Sequence, residues 1–399
     1  MTRDSICLEE IGHYVRNLIL SDGRKKDNNP VETIKLCKLF GSSLRLFPNV
    51  TNLHIEYKSV KAIRPYLDRT ILSQIQSSPF YGKLRQLCLM FWSKIQCSFS
   101  ETYQDIYWDP YETDSFLSSL PEELREYLST PPSYMPKNII EFPIPPRLQD
   151  ATILCDEIWF QKYELMSSHY RVYWKCGLFL VPYPGCTKSN LKRLDIRASR
   201  LWYKRWGLGE FPETMLTSHS PDRYSNIEEL RLHLDNMDPS RWPELSLAFS
   251  DVRKLSLISR TKYVDLLPWC ENFEVISIMI ANLARLEELQ LQWPHDIGFD
   301  LNRPRFGGEI PVNWWEMPQS EYRARVESIV QDWLHMGWHS LRSVTLMPVN
   351  QYKDSFYHGN DNPRKYGLIP RLGTVINGPM GRTVSWEDLE DGPMWDTMD

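Results

Sequence analysis

Two histidines, His335 and His339, have the spacing that most directly suggests chemistry in this sequence. An i, i+4 separation places two imidazole rings on one face of a helix, where they can ligate a metal ion. Gly337 lies between them and weakens a helix at that point, and no adjacent glutamate completes a zincin-like motif. The sequence therefore predicts a partly packed histidine pair, and no metal or cofactor is expected.

The cysteines and the common catalytic motifs give no reactive constellation either. The sequence has no G-x-x-x-x-G-K-[ST], G-x-G-x-x-G or G-x-S-x-G motif, and no two of its cysteines form C-x-x-C. Scattered cysteines are typical of reduced thiols in a cytoplasmic or nuclear protein, which is the expected location. An enzyme is not expected; the alternative left open is an unrecognised site between residues 91 and 190. The cysteines are Cys7, Cys37, Cys88, Cys97, Cys155, Cys176, Cys186 and Cys270.

Composition and charge exclude several classes of partner. The 399 residues include 46 basic and 51 acidic side chains, a net charge of −5, which argues against nucleic-acid binding. No uncharged apolar run approaches the roughly 20 residues of a membrane span, and the first ten residues carry four charges where a signal peptide would be apolar. A monomeric protein with no membrane or nucleic-acid partner is expected.

A short phrase, apolar-x-x-apolar-x-apolar, recurs along the chain. Its last two apolar residues are two positions apart, so both face one side of a short strand, and the first lies in the turn that enters this strand. Such a unit cannot close a core alone and must stack on further copies. The eight instances begin at Val15, Val50, Leu84, Leu191, Ile227, Val252, Leu286 and Leu341.

The spacing of the phrase predicts the fold class. Successive middle apolar residues are 35, 34, 36, 25 and 34 residues apart within the regular stretches, which leaves room for a strand, two turns and a helix. Apolar periodicity predicts helices at 31–40, 60–75 and 322–334. We therefore predict an α/β fold, an irregular leucine-rich-repeat solenoid over residues 1–349 with a curved parallel sheet and outer helices.

Two intervals interrupt the repeats. The first, about 91–190, is Pro-rich between helix-like segments at 115–128 and about 148–166, and is predicted to be an insertion that either carries binding specificity or merely pads the outer side. The second separates the phrases at Leu286 and Leu341. Residues 350–399 are predicted to be a nonrepeating C-terminal segment that ends in an acidic tail from residue 384 onward. This tail is expected to be exposed or loosely packed; the alternative is an acidic docking peptide built around Trp386 and Trp395.

The polar residues that flank the apolar pair in each strand are the predicted partner-binding surface. They face away from the core, onto the concave side of a curved sheet, and their mixed charges suit recognition of a protein surface. The alternative is a solvated sheet face without a partner. The candidate residues are Arg193, Asp195, Arg197, Glu229, Arg231, His233, Lys254, Ser256, Glu288, Gln290 and Gln292.

Residues 9–20, EEIGHYVRNLIL, resemble a phrase that opens the repeat region in fungal F-box proteins with degenerate leucine-rich repeats. The phrases at 190–196 and 226–232 are similar to that family's later repeats. The resemblance implies a substrate-recognition subunit of an SCF-type ubiquitin ligase. In such a subunit an F-box binds the SCF adaptor, and the repeats bind a target protein. About ten residues precede the opening phrase, so we expect this chain to lack a recognisable F-box. Residues 120–128, LPEELREYL, resemble an F-box opening, but prolines follow at once and an ordinary amphipathic helix is predicted there.

The sequence therefore predicts a protein-binding repeat module without catalytic activity. Its first assignment is target recognition of the F-box/leucine-rich-repeat type in a ubiquitin ligase. The alternative is an interaction scaffold that works independently of a ligase.

Overall fold

A computed structural model describes the strands, two helices and the turns beside them, and it divides the chain into two compact units, residues 1–190 and 191–399. The described residues are 11–21, 39–60, 64–94, 138–155, 176–181, 190–198, 226–233, 249–258, 282–292, 296–298, 312–313, 319–335, 338–347, 370–379 and 381–389, with 122, 184, 246 and 280. Each unit is mixed α/β with a mostly parallel sheet, which confirms the predicted class and the predicted parallel pairing.

Unit 1 contains four parallel strands in which the repeat phrases lie side by side. The strands are β1 (Asn17–Ser21), β2 (Asn52–Val60), β3 (Gln86–Lys94) and β5 (Asp150–Cys155). In register, Leu18 pairs with Leu53, Leu53 with Leu87, and Leu87 with Ala151. The middle apolar residue of each phrase therefore forms a single column across the sheet.

Strand β5 is a repeat inside the interval that the sequence analysis treats as an insertion. Its phrase is Leu148-x-x-Ala151-x-Ile153, with alanine at the middle position, and all three residues are buried. The prediction of a helix over 148–166 is wrong at residues 150–155, because the spacing of three and then two residues orients these side chains into the sheet core. The same interval holds a separate parallel pair, β4 (Asn138–Pro143) with β6 (Cys176–Val181).

Unit 2 continues the same arrangement over five parallel strands. These are β7 (Arg193–Ala198), β8 (Glu229–His233), β9 (Lys254–Ile258), β10 (Glu288–Gln292) and β13 (Ser343–Met347). The middle residues Leu194, Leu230, Leu255, Leu289 and Val344 are again aligned in register. Between β10 and β13 a short antiparallel pair forms from β11 (Asp296–Gly298) and β12 (Val312–Asn313).

The apolar columns form the core. From β2 onward all three apolar positions of each phrase are at most 5% exposed, whereas Val15, Leu18 and Leu20 of the first phrase are only half-buried. Removal of apolar surface from water contributes about 25 cal/mol per Å², so stacking of these columns provides most of the stabilisation.

The residue after the first apolar position joins each repeat to the next by its backbone. The carbonyl of Arg16 accepts the amides of both Thr51 and Asn52, at 2.8 and 3.0 Å. The same double acceptance recurs at the carbonyls of Thr51, Arg85, Lys192, Glu228, Arg253 and Glu287. Because two donors from one repeat share one acceptor in the repeat before it, the strand start is fixed at the same residue each time.

Two helices have described bounds, α1 (Arg64–Gln76) and α2 (Gln319–His335), close to two of the predicted segments. In α1, Ile71, Leu72 and Ile75 are buried. In α2, the buried residues include Val326, Val330 and Trp333, as its apolar periodicity predicts. The predicted helix at 31–40 lies almost wholly outside the described residues. Neither α1 nor α2 is long and apolar enough to cross a membrane.

An antiparallel hairpin follows the last parallel strand of unit 2. Strand β14 (Arg371–Gly378) pairs with β13 and with β15 (Gly381–Asp388). Residues 384–388, which the sequence analysis assigns to an exposed tail, form part of β15. Gly381 has a φ of 115°, which only glycine adopts without strain, so it permits the tight turn into β15.

Helix α2 covers the outer edge of this hairpin. The Gln331 side chain donates to the carbonyl of Arg382 at 2.9 Å and accepts the amide of Val384 at 3.2 Å. Arg371 pairs with both Glu327 of α2 and Asp388 of β15, and its guanidinium lies 5.6 Å from the centre of the Trp386 ring. The amide of Gln331 therefore satisfies backbone groups that an edge strand would otherwise leave open.

The difference in burial between the first two columns gives a stability prediction. Leu53→Ala should lower the free energy of unfolding by about 2–5 kcal/mol, because it leaves a cavity beneath a fully stacked repeat. Leu18→Ala, at the equivalent position of the neighbouring strand, should cost clearly less because Leu18 is only half-buried. Urea denaturation of the two variants measures both effects. Equal losses would contradict the assignment of β1 as the weakly covered strand.

Candidate functional site

The polar residues at the strand starts and on the strands of unit 2 lie in three parallel rows, of which the second and third contain the predicted binding residues. The first row comprises the residues at the strand start, Lys192, Glu228, Arg253, Glu287 and Arg342. The second row is Arg193, Glu229, Lys254 and Glu288, and the third row is Asp195, Arg231, Ser256 and Gln290. In each row, register places equivalent residues of neighbouring strands next to one another.

In the first row, positive and negative side chains alternate from strand to strand. Lys192 pairs with Glu228 at 2.5 Å. Further along, the Glu287 carboxylate forms ion pairs with Arg253 at 3.7 Å and with Arg342 at 3.3 Å. The row therefore reads plus, minus, plus, minus, plus, and it ends on the cation of Arg342.

The second row repeats this alternation with the residues predicted to bind a partner. The Arg193 guanidinium lies 4.0 Å from the Glu229 carboxylate, and Lys254 Nζ lies 2.8 Å from that of Glu288. These side chains are about half exposed. Exposed ion pairs of this kind contribute roughly 0–1 kcal/mol each, so their effect is on which strands lie side by side more than on total stability.

The third row combines one ion pair with one neutral pair. Arg231 lies 3.6 Å from Asp195, whose side chain is only 16% exposed. The Ser256 hydroxyl donates to Gln290 Oε1 at 2.8 Å, and Ser256 itself is buried. Eight of the eleven predicted residues are thus brought together on one face, and they pair with each other.

Three predicted residues cannot be placed by side chain. The last positions of the side-chain alternation in β7, β8 and β10 are occupied by Arg197, His233 and Gln292, as expected. Their side chains are outside the described residues. Their contribution to a binding surface stays a prediction.

At the second-row position, the described side-chain pairs of unit 1 each involve an amide, whereas those of unit 2 are ion pairs. The Asn52 side chain donates to Asn17 Oδ1 at 2.7 Å, and the Gln86 side chain donates to Asp150 Oδ2 at 3.1 Å. These residues occupy the second-row position of their phrases. No binding residue is predicted from the sequence on this face, although the same phrase recurs there.

A charge signal that could have identified these rows was present in the sequence. The two residues between the first and middle apolar positions are Lys-Arg, Glu-Glu, Arg-Lys, Glu-Glu and Arg-Ser in successive unit 2 phrases. Like-charged doublets of alternating sign become ion pairs only when the strands lie parallel and in register. The prediction considers each polar residue as a separate contact for a partner, and it therefore does not include the ion pairs between neighbouring strands.

Two pKa shifts report the strongest of these pairs. The hydrogen bond from Lys192 lowers the pKa of Glu228, and nearby Arg253 adds to this effect. The hydrogen bond to Glu288 raises the pKa of Lys254, assisted by the other carboxylates of the rows. Both pKa shifts favour the charged forms, that is, the Glu228 carboxylate and the Lys254 ammonium group.

The histidine pair does not form a chelating site. Helix α2 ends at His335, so His339 lies beyond the helix and the i, i+4 helical geometry does not extend over the pair. Both residues are exposed, and His335 Nε2 lies 3.1 Å from the Gln331 side chain. Among the described residues, no three His, Cys, Asp or Glu side chains form a group that could hold a metal ion. Cys88 lies half-buried in β3 as a thiol.

The comparisons with known proteins assign no family. No family model matches the chain, and neither the curated proteins nor the solved structures give a significant match. Residues 120–128, which resemble an F-box opening, lie outside the described residues apart from residue 122.

The pairing in the first row gives a prediction for the titration of Glu228. Its carboxyl should titrate below its usual value of 4.5 in the native protein, and Lys192→Gln should bring the pKa back toward that value. Because the folded pKa is lowered, this pair stabilises the fold above pH 4.5 or so and ceases to do so as the pH falls through the folded pKa. NMR titration of the glutamate side-chain carboxyl groups measures the shift, and Arg193→Gln is the control because it belongs to the second row. An unchanged pKa in Lys192→Gln would contradict the pairing.

Proposed function

We propose that this chain is a non-catalytic protein-recognition module built from irregular leucine-rich repeats. The observation that carries the proposal is the in-register stacking of one phrase within each unit, where the polar positions of the described strands are aligned on one face of that unit's sheet. A row of this kind gives a partner many equivalent polar contacts at regular spacing, which is how repeat proteins form extended binding surfaces.

The electrostatics of the face support recognition rather than catalysis. The shifted pKa values of Glu228 and Lys254 belong to exposed ion pairs and favour the charged state, whereas a catalytic acid or base needs a pKa moved toward neutrality. Aligned ion pairs also limit partners to those with a complementary alternation of charge, because a uniformly charged surface would meet like charges on every second strand.

The more specific proposal is target recognition in an SCF-type ubiquitin ligase. It rests on the resemblance of residues 9–20 and of the later phrases to fungal F-box proteins with degenerate leucine-rich repeats. In that arrangement the repeats bind the target protein, and a separate segment binds the SCF adaptor. A scaffold that works without a ligase uses the same face and differs only in that it has no adaptor contact.

Direct binding to the purified SCF adaptor separates these two roles. If the full chain binds the adaptor, deletion of residues 120–128 should abolish this binding while target capture is kept, which would place the F-box-like segment at the contact. If the full chain captures a target but does not bind the adaptor, the ligase role is wrong and the scaffold role stands. Size-exclusion chromatography of the mixture provides the readout.

An exchange of paired charges tests whether the polar face binds the partner. The double variant Asp195→Arg with Arg231→Asp keeps an ion pair at the 3.6 Å contact but reverses its direction. We expect its thermal melting to be preserved and its partner capture to fall roughly tenfold, since two favourable contacts become repulsive. Quantitative mass spectrometry of proteins retained by the immobilised chain gives the measurement.

The matched control is an exchange on the face of unit 1. Gln86→Asp with Asp150→Gln preserves the side-chain pair and the net charge, and it leaves unit 2 unchanged. Capture that survives in the control but not in the unit 2 exchange assigns the partner to unit 2. Full capture by both folded double variants would contradict the proposal that these rows form the binding surface.

A further inference from the structure

Unit 2 contains an open cleft at the strand starts, next to the last cation of the first row. Its volume is about 610 Å³, within the range of small-molecule sites. It lies where the antiparallel hairpin takes the place of a further parallel repeat: the Arg342 carbonyl accepts a single hairpin amide, from Val375, at 2.8 Å. The charged and titratable residues that line it are Arg253, Arg285, Glu287, His339, Arg342 and Arg382.

The cleft has more positive than negative charge. Glu287 is shared between Arg253 and Arg342, and Asp251 pairs with Arg285 at 3.0 Å. Arg382 donates to the backbone carbonyls of Trp338 and Leu341. Within the described part of unit 2, four guanidinium groups line this cleft with one carboxylate, that of Glu287. Asp251 pairs with Arg285 and Glu228 lies near Arg253, so the cleft keeps a net positive charge.

The alternation of the first row explains this excess. In the first row, each of the earlier cations, Lys192 and Arg253, has a carboxylate at the equivalent position of the next strand. The strand next to Arg342 is β14, and its residues that line the cleft, Val375 and Asn377, are uncharged. The hairpin adds Arg382 at this place, a further cation. The alternation of charge would place a negative group next to Arg342. The cleft lies at this position and is wide enough for an anion from solution to enter.

We propose that this cleft is an oxyanion-binding site whose ligand carries a phosphate group. A phosphate monoester has a charge of about −1.5 to −2 at pH 7, which the net positive charge of the cleft attracts. Its oxygens accept several N–H donors at once, and the planar guanidinium fork matches this geometry better than an ammonium group does. The side chains of Arg342 and Arg285 are 75% and 62% exposed. Both can therefore turn toward a ligand without disturbing the apolar core.

The phosphate group could belong to a small soluble compound or to a phosphorylated side chain of a protein partner. The cleft recognises the chemistry common to both. The site is distinct from the second and third rows of the polar face, so it does not depend on the function proposed above.

Calorimetric titration of the full chain with sodium pyrophosphate, at low ionic strength, tests the site. We expect saturable one-to-one binding, and Arg342→Gln should weaken it roughly tenfold because charge-assisted hydrogen bonds are lost. Arg193→Gln is the matched control, since it removes the same charge from the second row outside the cleft, and its dissociation constant should stay within about twofold of the unmodified chain.

Two results would overturn the proposal. One is the absence of saturable pyrophosphate binding. The other is equal weakening by Arg342→Gln and Arg193→Gln, which would show a response to overall charge and not to the cleft. Thermal melting confirms that each variant is folded, and Arg285→Gln serves as a second cleft variant, with the same expected tenfold loss, if Arg342→Gln unfolds.

A peptide arm identifies the source of the phosphate. A Gly-Ser peptide with one phosphoserine is compared with its unphosphorylated form and competed against pyrophosphate. Competitive binding of the phosphopeptide, with the same loss in Arg342→Gln, supports a modified protein partner. Pyrophosphate binding without phosphopeptide binding supports a small soluble ligand.

Discussion

The backbone junction at the start of each strand is the interaction on which the rest of the structure depends. One carbonyl accepts two amides of the following repeat, as Lys192 does from Glu228 and Glu229, so each new strand begins at a fixed residue. Because side chains alternate between the two faces of a strand, a slip by one residue would turn every leucine outward and every charge inward. The junction therefore aligns the apolar columns and the charged rows together.

The charged rows add information that the apolar columns lack. Any L-x-L strand could stack on any other by its leucines, so apolar burial alone does not specify the order of neighbours in a sheet. Doublets of alternating sign make only some neighbours favourable: a Glu-Glu strand next to another Glu-Glu strand would place four carboxylates together. In unit 2 the sequence of doublets matches the sequence of strands, so local charge and tertiary order agree.

Much of the strand framework could be predicted from the sequence, because the spacing of three and then two residues has one simple structural solution. Strand β5 was missed since Ala151 contributes little to an apolar pattern, although register with Leu87 gives it the same role. The residues of the polar face were also predictable from the alternation. Their pairing could not be predicted, since it depends on which strands become neighbours. The hairpin after β13 and the arginine cleft beside it could not be predicted either, because no repeat phrase occurs there.

The Gln331 amide over β15 has a consequence for how copies of this protein meet. Sheets with an open edge can recruit a strand from another molecule, and repeat proteins, whose units all resemble one another, are particularly exposed to this kind of misassembly. Here the Arg382 carbonyl and the Val384 amide are already bonded to Gln331, and the reversed direction of β15 offers no template for a parallel repeat. Strand β15 thus has two backbone groups already bonded to Gln331, and it offers a neighbouring molecule fewer open groups for strand pairing.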